Sequence, residues 1–207
     1  MSLEKYKQII SEDFSKEADL IDCVIKELGI EKSAKILDIG TGFGAMSILL
    51  ALNGYAVITG QPEHDSEWEE LTSHNEHGNV EQHQHEFAMS DWKENAKALG
   101  VLDKISFQFL NAEELYFDAE TFDAIFLYDA LQHIKKRALV LNECLRLMKA
   151  KGVICVIEWS KESIRKDEKQ YGLKIDYIDP NEIINRNDIS IELISGNFVN
   201  IFIIKKL

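Results

Sequence analysis

Asp38-Ile39-Gly40-Thr41-Gly42-Phe43-Gly44 puts a glycine at every second position, directly after the short apolar run Lys35-Ile36-Leu37-Asp38-Ile39. The run reads as a buried strand, and Ala45 to Leu52 reads as a helix closed by Asn53-Gly54. A strand that ends in a turn without side chains and leads into a helix is the opening unit of an α/β layered fold. Glycine lets the backbone turn sharply and lets a ligand approach without meeting a Cβ. The helix start offers unpaired N–H groups and a partial positive charge, which suit a carboxylate or phosphate.

The rest of the chain keeps the same alternation. Asp19 to Leu28 carries apolar residues at Leu20, Ile21, Val24, Ile25 and Leu28, one face of a helix, with Gly29 as its stop. Tyr55 to Gly60 reads as a second strand, Ser90 to Leu99 as a helix, Ile105 to Leu110 as a third strand and Phe122 to Tyr128 as a fourth. Lys135 to Ala150 has helical spacing, and Gly152 to Trp159 is an apolar strand. Ile189 to Ile194 and Phe198 to Ile204, joined by Ser195-Gly196-Asn197, read as a hairpin. The predicted fold is α/β: a Rossmann-like three-layer sandwich on a mostly parallel seven-stranded sheet, with a C-terminal antiparallel hairpin. Residues 1–207 read as a single domain, with an N-terminal helical segment over 1–30.

Net charge is −13, from 23 basic and 36 acidic side chains. That balance argues against nucleic-acid or anionic-membrane partners, which need clustered Lys and Arg. Cys23, Cys144 and Cys155 lie in apolar helix or strand patterns and read as small core residues in a reducing compartment. Met1 to Asp13 lacks the apolar core of a signal peptide, and no apolar stretch approaches the length of a membrane span. A cytoplasmic protein is the expectation.

The loop admits two ligand classes. Gly40, Gly42 and Ala45 also fit the looser dinucleotide fingerprint. Asp38 separates the two. Its carboxylate would face like charge beside a pyrophosphate, whereas it attracts the ammonium of an amino-acid-bearing nucleoside. The stretch 35–44 resembles motif I of class I S-adenosylmethionine-dependent methyltransferases. Phe122 to Ile134 resembles their fourth-strand segment, and Leu145 to Ile154 their helix-turn-fifth-strand segment. The three occur in the family's order and spacing.

The resemblance implies a site. Asp38, Gly40, Thr41 and Gly42 would hold the methionine part of S-adenosyl-L-methionine, with Gly44 permitting close approach of the helix. In the family an acid at the end of strand two grips the ribose. Here that end reads Thr59-Gly60-Gln61-Pro62-Glu63, so the acid is displaced; Glu63 is assigned the contact, with Gln61 as the competing hydrogen-bonder. Asn111, Ala112 and Glu113 match the position bordering the adenine. Tyr128, Asp129 and Ala130 should lie between cofactor and substrate, at the carboxyl end of strand four. Asp123 precedes the apolar run of that strand and so belongs at the opposite sheet edge, as a structural cap.

The expected activity is methyl transfer to a small-molecule acceptor. Asp129 and His133 are the candidate bases, needed only if the acceptor must lose a proton; packing near a helix start is the plainer reading of His133. Tyr6 and Phe14 are candidates for a lid over the cofactor, or for simple packing of a terminal helix. His64 to Met89 is a polar insertion after strand two. Its His74, His77, His83 and His85 have spacings that can share a metal, although the segment has no cysteine. Leaving the edge where the ligands should sit, the insertion is expected to select or enclose the acceptor. Two other function classes fit less of the pattern. One is a non-catalytic nucleoside- or metal-binding regulatory module of the same fold. The other is a nicotinamide-dependent reductase, which Asp38 disfavours.

Overall fold

The computed structural model describes residues 3–10, 12–62, 92–172 and 174–207. Helices α1 (Leu3–Ile9), α2 (Glu12–Ser15) and α3 (Ala18–Glu27) lead into strand β1 (Ile36–Ile39). Helix α4 (Ala45–Leu52) and β2 (Val57–Gln61) follow, then α5 (Trp92–Ala98), β3 (Ile105–Phe109) and β4 (Phe122–Tyr128). Helix α6 (Arg137–Leu147), β5 (Met148–Trp159), α7 (Lys161–Tyr171) and α8 (Pro180–Ile183) come next, and β6 (Ile189–Ser195) and β7 (Val199–Lys206) close the sheet.

The seven strands lie in the order β3-β2-β1-β4-β5-β7-β6. The pairs from β3 to β5 are parallel, while β7 runs antiparallel to both β5 and β6. The chain moves outward from β1 through β2 to β3, then crosses back to β4 on the other side of β1. That reversal opens a crevice beyond the carboxyl ends of β1 and β4, where ligands of open α/β sheets bind.

Alternation along the central strands builds the three layers. Ala124, Phe126 and Tyr128 of β4 join one apolar cluster with α1, α3, α4 and α5. Ile125 and Leu127 join a second cluster with α6 and the stretch after β3. Each fully buried Ile, Leu or Phe contributes about 1.5–3 kcal/mol, so strands lined on both faces are strongly fixed in register.

Several boundaries differ from the sequence expectation. Helix α6 ends at Leu147 rather than Ala150, and β5 begins at Met148, which pairs with Phe122 across an irregularity in the ladder. Met148 is fully buried either way, so apolar spacing could not tell a last helical turn from a first strand residue. Strand β2 starts two residues later than expected; Tyr55 instead sends its hydroxyl to the carbonyl of Ile30. Cys23 is exposed, not a core residue, because it lies on the face of α3 opposite Ile21, Val24 and Ile25. Cys144 and Cys155 are buried as expected. Asp123 lies at the amino end of β4, where Oδ2 accepts the Lys35 N–H at 2.9 Å and a proton of Lys149 at 2.8 Å. Among the described residues, no helix is long and apolar enough to cross a membrane.

Candidate functional site

Asp38 sits at the carboxyl end of β1, fully buried. In register with it on β2, Thr59 donates its hydroxyl to Asp38 Oδ2 at 2.9 Å. A hydroxyl has one proton, so in the 3.0 Å contact between Thr41 and Thr59 the donor must be Thr41. The result is a directed chain, Thr41 to Thr59 to Asp38. It places the Thr41 side chain beneath the loop rather than in the crevice.

The other Asp38 oxygen, Oδ1, is buried with no hydrogen-bond partner among the described residues. Burial pushes the carboxyl up to about 7, while the Thr59 hydroxyl and the Ser47 backbone N–H in the first turn of α4 pull it down. An unpartnered carboxylate oxygen in a dry site is costly unless something cationic meets it.

Above Asp38 the chain turns through Gly40 (φ +92°), Gly42 (+45°) and Gly44 (+78°). A Cβ on Gly40 would lie 3.1 Å from the Cβ of Ala130, and one on Gly44 would meet Ile48 at 3.0 Å and Trp92 at 3.1 Å. The first close approach joins the loop to the segment after β4; the second seats α4 and α5. Gly44 precedes the first residue of α4 and brings no side-chain cap.

Gln61 reaches back from the end of β2, and its Oε1 accepts the Gly42 N–H at 3.1 Å. Sequence reasoning gave Gln61 only a ribose role; here its carbonyl oxygen secures the loop. Glu63 and the stretch 64–89, including His74, His77, His83 and His85, lie outside the described residues. Asn111 Oδ1 accepts the Glu113 N–H at 3.0 Å, forming a small turn over the end of β3 with Ala112 buried within it. Glu113 itself pairs with Lys136 at 2.6 Å.

The N-terminal segment closes the other side. Tyr6, 1% exposed, donates its hydroxyl to the Ala45 carbonyl at 2.9 Å, across 39 residues of chain. Burial, and then the nearby Asp38, raise its phenol. Phe14 packs against Phe43 of the loop (6.1 Å between ring centroids), Tyr128 of β4 (4.9 Å) and Trp159 of β5 (6.2 Å). Tyr6 therefore packs against the helix start, whereas Phe14 packs against the loop and the ends of β4 and β5.

Beyond β4, Asp129 has a left-handed backbone (φ +50°), held by its N–H on the Ile157 carbonyl at 2.9 Å. His133 ends the short 3-10 turn Leu131–His133 ahead of α6. One residue that sequence reasoning missed stands beside them. Glu158 on β5 is fully buried and accepts the Leu131 N–H at 2.9 Å. Its burial, and next the neighbouring Asp129, hold its carboxyl well above the usual range. A single acid at the end of an apolar run carries no sequence signal of burial. Among the described residues, no group of three or more His, Cys, Asp or Glu could hold a metal ion.

Comparison with known proteins bears on the family and the fold. A family model described as a methyltransferase domain matches residues 30–196. The ubiquinone/menaquinone biosynthesis C-methyltransferase UbiE of Salmonella arizonae is 30% identical over 79 residues, 38% of this chain and 32% of that protein. The chain thus spans about a third of the length of the curated relatives it matches. The PH0226 protein of Pyrococcus horikoshii superposes with a TM-score of 0.63 at 16% identity, covering 98% of this chain and 95% of that one. A SAM-dependent methyltransferase from Aquifex aeolicus superposes with a TM-score of 0.58 at 16% identity, covering 99% and 98%. These likenesses show the Rossmann-like fold.

Proposed function

The chain belongs to the methyltransferase-domain family, and from that premise we propose that residues 1–207 act as one S-adenosyl-L-methionine-dependent enzyme that methylates a small-molecule acceptor. The observation that carries this reading is Asp38 Oδ1, a buried carboxylate oxygen without a hydrogen-bond partner among the described residues, beneath a turn stripped of side chains. It fits the ammonium of a methionine moiety. A pyrophosphate would add negative charge beside an acid that burial already strains.

The residues divide the work by position. Asp38 takes the ammonium, while Gly40 and Gly42 leave room for the methionine backbone, and the bare start of α4 favours its carboxylate. Thr41 acts from below, through Thr59. Gln61, whose carbonyl oxygen already serves the loop, offers its NH2 group to the ribose, with Glu63 as the acidic partner. Asn111, Ala112 and Glu113 border the adenine. When bound, the cofactor supplies a methyl group already activated as a sulfonium. The protein's task is to bring the acceptor into line with it and to keep water out. Phe14, Phe43, Tyr128 and Trp159 form an apolar wall suited to that exclusion. Asp129 and His133 are the candidate bases, needed only where the acceptor must lose a proton.

The acceptor is a small molecule rather than DNA or RNA, in keeping with the net charge of −13, and the free thiols of Cys23, Cys144 and Cys155 favour a reducing, cytoplasmic location. Crystals grown with S-adenosylhomocysteine test it. The amino group is expected beside Asp38 Oδ1, with the nucleoside over the ends of β2 and β3. An empty turn, or a turn holding a diphosphate, contradicts it.

A further inference from the structure

Strand β5 holds the turn after β4 through both backbone and side chain. The Ile157 carbonyl accepts the Asp129 N–H at 2.9 Å, and Oε1 of the next residue, Glu158, accepts the Leu131 N–H at 2.9 Å. Arg137 Nε donates to the Leu131 carbonyl at 2.9 Å. Asp129 has a left-handed backbone, which persists only where neighbouring contacts over-determine it. Leu131 and Glu158 are both fully buried. Without the carboxyl, the Leu131 N–H would be left with no acceptor where water does not reach.

This turn carries Ala130. Its Cβ and Cα lie 3.1 and 4.0 Å from the point that a Cβ on Gly40 would occupy, so residue 130 backs directly onto the first glycine of the loop above Asp38. A path of packed contacts runs from Glu158 through the Leu131 N–H and Ala130 to Gly40. Burial first, and then Asp129, hold the Glu158 carboxyl well above the usual range. The turn therefore takes from this residue an acceptor oxygen rather than a charge, and Oε1 supplies it.

Resting on the methyltransferase reading, we propose that Glu158 is a positioning residue for the methionine end of the cofactor: by holding the 129–131 turn against Gly40, it fixes the course of the glycine loop where the amino-acid part binds. Glu158 itself, closed off from solvent, touches no ligand. The nucleoside end, over the tips of β2 and β3, lies outside its influence.

The test uses the full chain and two probes: S-adenosylhomocysteine, which carries the amino-acid end, and 5′-methylthioadenosine, which lacks it. Calorimetry gives the affinities, ligand-observed NMR reads the weaker probe, and circular dichroism checks that each variant is folded. Glu158→Leu fills the space and withdraws the acceptor; S-adenosylhomocysteine should bind at least about tenfold more weakly, and 5′-methylthioadenosine within about threefold of wild type. Glu158→Gln keeps a carbonyl for the Leu131 N–H and should stay within about threefold for both probes. Ala130→Val crowds Gly40 from the turn while Glu158 stays in place; the same selective loss is expected, and this variant carries the test if Glu158→Leu does not fold. An equal loss of both probes in Glu158→Leu, no loss of either, a Glu158→Gln loss as large as that of Glu158→Leu, or wild-type S-adenosylhomocysteine affinity in Ala130→Val overturns the proposal. Failure of the wild-type chain to bind S-adenosylhomocysteine strikes instead at the methyltransferase reading.

Discussion

Thr59 gives its hydroxyl proton to Asp38 Oδ2 across the register pair joining β1 and β2, while Oδ1 has no hydrogen-bond partner among the described residues. Thr59→Val keeps the shape and removes the donor. The carboxylate form of Asp38 is then less favoured, so S-adenosylhomocysteine binding near pH 7 should weaken about tenfold and recover part of the loss near pH 8. Calorimetry at the two pH values checks this; equal losses at both would separate Thr59 from the ionisation of Asp38.

Asp38 also sets a pH dependence. Burial raises its carboxyl from the ordinary 3.8 to about 7, so the native chain keeps a proton that the unfolded chain has already released. The stability this contributes is fully present below about pH 4, is lost as pH rises towards 7, and is level above that, at up to roughly 1.4 kcal/mol per pH unit within the window. Asp38→Asn should remove this slope and make the ligand-free protein more stable than wild type near pH 8. Urea unfolding from acid to neutral pH measures it, and parallel curves for the two proteins would contradict the assignment.

Gly40 combines a left-handed φ with a Cβ position 3.1 Å from Ala130. Gly40→Ala is expected to cost about 1–3 kcal/mol of stability and to weaken S-adenosylhomocysteine binding more than tenfold, because the loop must shift to release the contact. Differential scanning calorimetry with and without the ligand reads both effects.

Tyr6 ties α1 to the first residue of α4. Tyr6→Phe removes one buried hydrogen bond, at about 1 kcal/mol. Tyr6→Ala empties a fully buried aromatic site, at about 3–5 kcal/mol. Denaturant midpoints should rank the two in that order; a Tyr6→Ala variant as stable as wild type would show that the N-terminal helix contributes nothing to the core.

The parts of the fold that sequence made plain share a physical cause. Ile36 to Ile39 and Phe122 to Tyr128 are buried on both faces, so their runs are continuously apolar and end where the site begins. The hairpin 189–206 was readable from two apolar runs around Gly196, whose N–H bonds the Val199 carbonyl. Helix α7 went unread because KESIRKDEKQY offers almost no apolar face, although Ser160, which caps it by accepting the Ser163 N–H, was a local signal. In the site, Asp38 and the glycines were legible because side-chain-free backbone and an acid at a strand end are unusual together. Glu158 was not. Its burial is created by the 130–131 turn folding over it from another strand, a tertiary event with no mark in the neighbouring residues. Thr41 and Gln61 were found, but their partners Thr59 and Gly42 depend on the pairing of β1 with β2 and on the return of the loop.

The most direct measurement is a calorimetric titration of S-adenosylhomocysteine into the wild-type chain and into Asp38→Asn near pH 7.5. One site per chain is expected for wild type, with affinity at least about tenfold weaker in the variant, since a hydrogen bond to a charged group contributes about 1.5–3 kcal/mol. No binding to wild type, or equal binding to both, would contradict the role given to Asp38 and to the turn above it.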